Sequence, residues 1–183
     1  MPVETDFPLF ICGPMVRRLT VDQMVLWWIS PEPVQPILEL FHPNSDAPFY
    51  SNRLNSESLT ALQVGSHAFV HLADIRLDSP LRPDEKIEYD LSVQDAETGI
   101  TRNLAALVPS VVYPGELRPS VMVRTKVRRF FHGSCRKPHH DSEDAFTGLD
   151  REIGQHLDDK ALRPALLMLT GDQIYADDVA GPM

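Results

Sequence analysis

Short apolar runs, each closed by a turn signal, follow one another through the first two thirds of the chain. "MVLWWIS" (24–30), "PILELF" (36–41), "HAFVHLADI" (67–75), "KIEYDLSV" (86–93) and "LAALVP" (104–109) are separated by "HPNSDAP", "SPLRPDE", "DAETG" and "YPGELRP". "FVHLADIRL" and "KIEYDLSV" alternate in part with period two, as strands with one face buried do. Many short strands at this spacing predict an antiparallel β-sandwich over residues 1–125. A chain of 183 residues with 43% hydrophobic and 23% charged residues can bury such a core and still carry part of a second domain.

Two local features sharpen this reading. Trp27 and Trp28 are adjacent on one predicted strand. Neighbours on a strand point to opposite faces, so one belongs in the core and the other on an outer face, where it is a candidate docking residue. "LRPDEKIEYDL" sets Leu81, Pro83 and Tyr89 around the start of a strand. It resembles the corner of fibronectin type III-like sandwiches, in which an apolar residue plugs the core and the tyrosine hydroxyl caps backbone groups at the turn.

The pattern changes at about residue 126. "VRRFF" (127–131) reads as a short strand that runs into "HGSCRKPHH". In "SEDAFTGLDREIGQHLDDK" (142–160), Phe146, Leu149, Ile153 and Leu157 recur three and four apart, which predicts a helix capped by Asp141 or Ser142. The run Ala165–Leu169 does not alternate, as expected of a strand buried on both faces of a parallel sheet. Strand, helix and strand make a βαβ unit over 126–183.

Ligands of open α/β sheets gather at the carboxyl ends of the strands. Here those ends carry Cys135 and Asp172, 37 positions apart in sequence. On neighbouring strands the two lie close enough to share one ion. Arg136 and Lys137 flank the thiol and are expected to lower its pKa. Tyr175 follows Asp172 by three residues, and Asp177 and Asp178 add oxygen donors nearby. Each residue alone has a structural explanation: a packing cysteine, an aspartate that caps a turn, a solvated pair of histidines. Their joint placement favours a site. A cysteine-nucleophile phosphatase is a poorer reading, because "HGSCRKPHH" lacks the small residues such a loop needs to aim N–H groups at phosphate.

"GSCRKPHH" followed by "LLMLTGDQIYADD" resembles the alkaline phosphatase D family, the PhoD-like metallophosphatases related to calcineurin-like phosphoesterases. The likeness is specific over about 130–183. It implies that Cys135, Asp172 and Tyr175 coordinate metal, with Asp172 bridging to a second ion. It implies Fe3+ with Ca2+ or another divalent ion, and hydrolysis of a phosphate-ester substrate. Arg136 and His139 or His140 are then candidates to hold the phosphate. The family's later ligand motifs are not found in this sequence, so the resemblance also implies an N-terminal portion of a larger enzyme, inactive alone, whose exposed α/β edge offers a surface for self-association. The competing expectation is an interaction module built on the sandwich.

Charge narrows the partners. A net charge of −9 with no basic stripe disfavours nucleic acid and anionic lipid. No apolar run is long enough to span a bilayer. The first segment, "MPVETDFPLFICGP", carries two acids and no base, the wrong sign for a secretory leader, so a cytoplasmic location is expected. Cys12 is expected to pack as a small apolar side chain, with no disulfide to Cys135.

Overall fold

A computed structural model describes residues 7–94, 98–137, 143–173 and 175. The chain divides into two compact units, Met1–Val123 and Arg124–Met183.

The first unit is mostly antiparallel β. One sheet has the order β1 (Cys12–Leu19), β2 (Gln23–Ser30), β6 (Ala68–Arg76), β5 (Leu59–Gly65). The other has the order β4 (Tyr50–Arg53), β3 (Ile37–Phe41), β7 (Ile87–Gln94), β8 (Thr101–Arg102), and β9 (Ser120–Val121) also pairs with β7. Alternation along β2 turns Met24, Leu26 and Trp28 inward, where they join Ala73 and Ile75 of β6. Leu38 and Leu40 of β3 and Ile87, Tyr89 and Leu91 of β7 belong to the same buried cluster. Two antiparallel sheets that share one core are consistent with a β-sandwich. Of the two tryptophans, Trp28 is fully buried and Trp27 is half-buried on the opposite face of β2. Leu81 is buried in the core beside Tyr89, whose hydroxyl is pushed up to about 12 by burial.

Three expectations need correction here. "LAALVP" is not a strand: it forms a single helical turn, α1 (Leu104–Leu107), followed by a 3-10 turn at Pro109–Val111. Asn103 caps α1 by accepting from the Ala106 N–H at 2.9 Å, which draws the run away from extended backbone. "KIEYDLSV" is not half-buried either. Ile87 through Ser92 are all buried, so β7 is covered on both faces. Glu88 pairs with Arg118 at 3.1 Å, and Asp90 accepts from the Leu104 N–H at 2.8 Å, so polar groups from 103–121 satisfy the second face. Cys12 is exposed at the start of the edge strand β1 rather than packed.

At that edge, Gly13 has a φ of +85° and faces Trp27, where an added Cβ would lie 2.8 Å from the Trp27 carbonyl oxygen. The β1 register on β2 shifts across this point and again between Val16 and Arg18.

The second unit pairs β10 (Phe130–Gly133) with β11 (Leu166–Leu169) in parallel, Phe130 opposite Leu166 and Gly133 opposite Leu169. The helix α2 (Ala145–Gln155) connects them, completing a βαβ unit. Its cap is Asp144, whose carboxylate accepts from the Phe146 N–H at 3.0 Å. Asp141 and Ser142 lie outside the described residues. The expectation that Ala165–Leu169 would be buried on both faces is overturned: Leu166 to Leu169 are 40–43% exposed. Among the described residues β11 has one neighbouring strand, β10.

Candidate metal centre

The register of the parallel pair fixes where its tips meet. Gly133 and Leu169 are the last paired residues, and the Thr170 N–H continues the ladder to the Gly133 carbonyl at 3.0 Å. His132 and Thr170 bond side chain to side chain across the tip at 2.6 Å. The residues that follow, Ser134–Cys135 and Gly171–Asp172, are therefore held against one another.

Gly171 permits that approach. A Cβ placed there would lie 2.1 Å from the Ser134 Oγ and 2.7 Å from both the N and the Sγ of Cys135. No other residue fits without moving the backbone of the facing loop. Cys135 itself has a left-handed φ of +54°, uncommon outside glycine. That turn directs its exposed Sγ toward Gly171.

The thiol sits among hydrogen-bond donors. The Ser134 hydroxyl lies 3.3 Å from Sγ. The Ser134 hydroxyl, the Tyr175 hydroxyl and the Asp172 backbone N–H hold the Cys135 thiol below its usual range, against the opposing Asp172 charge. The cause differs from the sequence expectation, in which neighbouring cations lowered it. Arg136 is turned away to Asp144: its Nε lies 3.2 and 3.3 Å from the two carboxylate oxygens, and Nη2 makes a 2.5 Å contact. The guanidinium also stacks on Phe146, 4.5 Å from the ring centroid. The Lys137 ammonium lies 6.0 Å from the Tyr175 ring centroid.

Beside Cys135 opens a cleft of about 360 Å³, lined by Ser134, Cys135, Arg136, Asp144, Phe146 and Leu169 among others. Of the residues singled out by sequence, Cys135, Asp172 and Tyr175 are brought together, and Arg136 borders the cleft. His139, His140, Asp177 and Asp178 lie outside the described residues. Among the described residues no three His, Cys, Asp or Glu side chains cluster as a ligand set; beside Cys135 and Asp172 stands the Tyr175 hydroxyl. Sequence reasoning placed Asp144 at the positive end of the helix dipole and Phe146 on the helix's apolar face, and assigned neither to the cleft. The only signal for Asp144 was an acid just before the helical period began.

Comparison with family models, with curated proteins and with solved structures returned no match to this chain. Among the described residues no helix is long and apolar enough to cross a membrane.

Proposed function

We propose that residues 124–183 carry the opening portion of a binuclear metal-dependent phosphoesterase site of the alkaline phosphatase D type. In this reading it stands on a calcineurin-like α/β scaffold and follows a fibronectin type III-like sandwich. One observation carries the proposal: the Cys135 thiol, the Tyr175 hydroxyl and Asp172 converge at the tips of two parallel strands.

The donor set fits a metal. A thiol held below its usual pKa, a carboxylate and a phenol, which gives up its proton on binding a metal, would make three anionic donors, a combination suited to Fe3+. Cys135, Asp172 and Tyr175 would hold that ion, and Asp172 would reach a divalent companion such as Ca2+. When bound, the metal pair supplies Lewis acidity toward a phosphoryl oxygen. The chain's own residues shape what surrounds it. Ser134 donates to the thiolate and orients it. Gly171 keeps the two tips in register with no side chain between them. Arg136 borders the cleft, but two of its nitrogens are committed to Asp144, which limits it to an auxiliary hold on phosphate.

The test is titration of chelator-treated protein with Fe3+, with and without Ca2+. The expected result is a visible charge-transfer band that Tyr175→Phe displaces and Cys135→Ser abolishes. Iron that binds with no such band, or a band indifferent to both substitutions, overturns the reading. Hydrolysis of p-nitrophenyl phosphate by this chain alone is expected to be low. The described residues offer donors for one ion, with only Asp172 to share.

A further inference from the structure

We propose that the cleft beside Cys135 takes the alcohol portion of the ester, and that it suits a small, flat, uncharged aromatic group. This rests on the metal-site reading above. Phe146 and Leu169 are then the residues that set specificity.

The cleft adjoins the donor cluster, because Ser134 and Cys135 line it together with Arg136, Asp144, Phe146 and Leu169. Its volume of about 360 Å³ lies at the low end of small-molecule sites, with room for a ring system but not for a lipid chain or an oligosaccharide. Charge separates it from a phosphate site. Among the described residues its charged lining is Arg136 and Lys137 against Glu143 and Asp144, and the formal charges cancel. A phosphate entering here would meet two carboxylates along with the two cations. A neutral group leaves the Arg136–Asp144 ion pair intact.

What the wall offers instead is flat and apolar. Asp144 holds the Arg136 guanidinium through Nε and Nη2, and the guanidinium lies over the Phe146 ring, 4.5 Å from its centroid. These two planar groups form a fixed stack, and the Arg136 side chain keeps 36% of its surface exposed. Guanidinium planes and ring faces both stack on aromatic rings, so a third flat group can extend the stack. Gly133 and Leu169, the last pair of the parallel ladder, add lining with no polar side chain. Such an alcohol also suits the reaction. Hydrolysis adds water across the ester: a water oxygen joins phosphorus, the bond from phosphorus to the aryl oxygen breaks, and that oxygen leaves with the electron pair and gains a proton. A phenol has a pKa of about 10, as tyrosine does, so its anion departs more readily than that of an alkyl alcohol.

Amide 1H–15N spectra of the metal-free full chain, titrated with phenol and with cyclohexanol, test this. Phenol should shift Ala145, Phe146 and Leu169 and saturate. Cyclohexanol, with the same carbons but no flat ring, should bind roughly 2–10-fold more weakly, the worth of one aromatic contact. Phe146→Leu should weaken phenol binding by a similar factor with helical ellipticity kept. Ala145→Leu, at an exposed position that lines the cleft, should weaken it by filling the space and leave the stack in place. Equal binding of the two alcohols overturns the aromatic preference, and phenol binding indifferent to both variants overturns the site. Inorganic phosphate that shifts the same amides and competes with phenol makes the cleft a phosphate site and overturns the proposal. No phenol binding in protein that still gives the iron charge-transfer band overturns this subsite alone. Phenol binding in protein that gives no such band leaves an aromatic cleft without ester chemistry beside it, and overturns the leaving-group role.

Discussion

At Gly171 the two strand tips of the second unit come as close as backbone allows. Gly171→Ala places a methyl group against the backbone N and the Sγ of Cys135, so the facing loop must retreat. We expect a loss of about 1–3 kcal/mol in the stability of this unit by chemical denaturation, from overpacking alone. Ser134→Ala is milder for the fold but removes the first hydrogen bond to the thiol. It should weaken Fe3+ binding by about 10–100-fold, read from the same charge-transfer titration. In the first unit, His71 is fully buried and stacked on Trp28 at 5.0 Å. Its Nε2 accepts from the Val34 N–H at 3.3 Å, and its Nδ1 lies 3.1 Å from the Phe69 carbonyl oxygen, which fixes a neutral ring. Burial lowers its pKa below the ordinary 6.5. The unfolded chain therefore takes up a proton first. Stability contributed by the neutral ring is present above pH 6.5 and lost as pH falls toward the lower folded value. Thermal melts of His71→Gln should show a flatter dependence over that range. At this scale the sequence pointed to Cys135, Asp172 and Tyr175 as neighbours, because they follow apolar runs closely, and the structure brings them together. The sequence did not disclose why they meet. The reach of a methyl group at Gly171 and the left-handed turn at Cys135 are properties of two distant segments brought together.

Elements were legible where burial is one-sided and periodic. β6 stands close to where alternation put it, β2 and β3 close to where apolar runs between turn signals put them, and α2 keeps the helical spacing of Phe146, Leu149 and Ile153. The reading failed where a neighbour decides. "LAALVP" has the composition of a strand, but an asparagine cap and a proline turned it into helical turns. The α2 start shows the same dependence. Asp144 caps the helix and grips Arg136, which holds its carboxyl below the usual range together with the Phe146 N–H. Its contribution is present above the ordinary value of 3.8 and lost as pH falls through the lowered one. Asp144→Ala should shorten the helix and free Arg136, and Asp144→Asn should keep the cap while losing the ion pair. Far-ultraviolet ellipticity separates the two: the alanine variant loses helical signal and the asparagine variant retains it.

Across the whole molecule, burial is unequal. Every buried hydrophobic residue among those described belongs to the first unit except Leu157. Amides of β2, β3, β6 and β7 should therefore exchange with solvent last, and those of β10 and β11 first, in native-state hydrogen exchange. A chain ending at Val123 should still unfold in one cooperative transition. Protection equal in both units would contradict this. The double burial of β7 has a consequence for how that first unit finds its pairing. Ile87, Tyr89 and Leu91 face the apolar cluster, and Glu88, Asp90 and Ser92 face the other way. Sliding the strand by a single residue would thrust two carboxylates into hydrocarbon and abandon the Arg118 and Leu104 groups that now answer them. The acids thus work as a key cut for one alignment, tolerating no neighbouring notch.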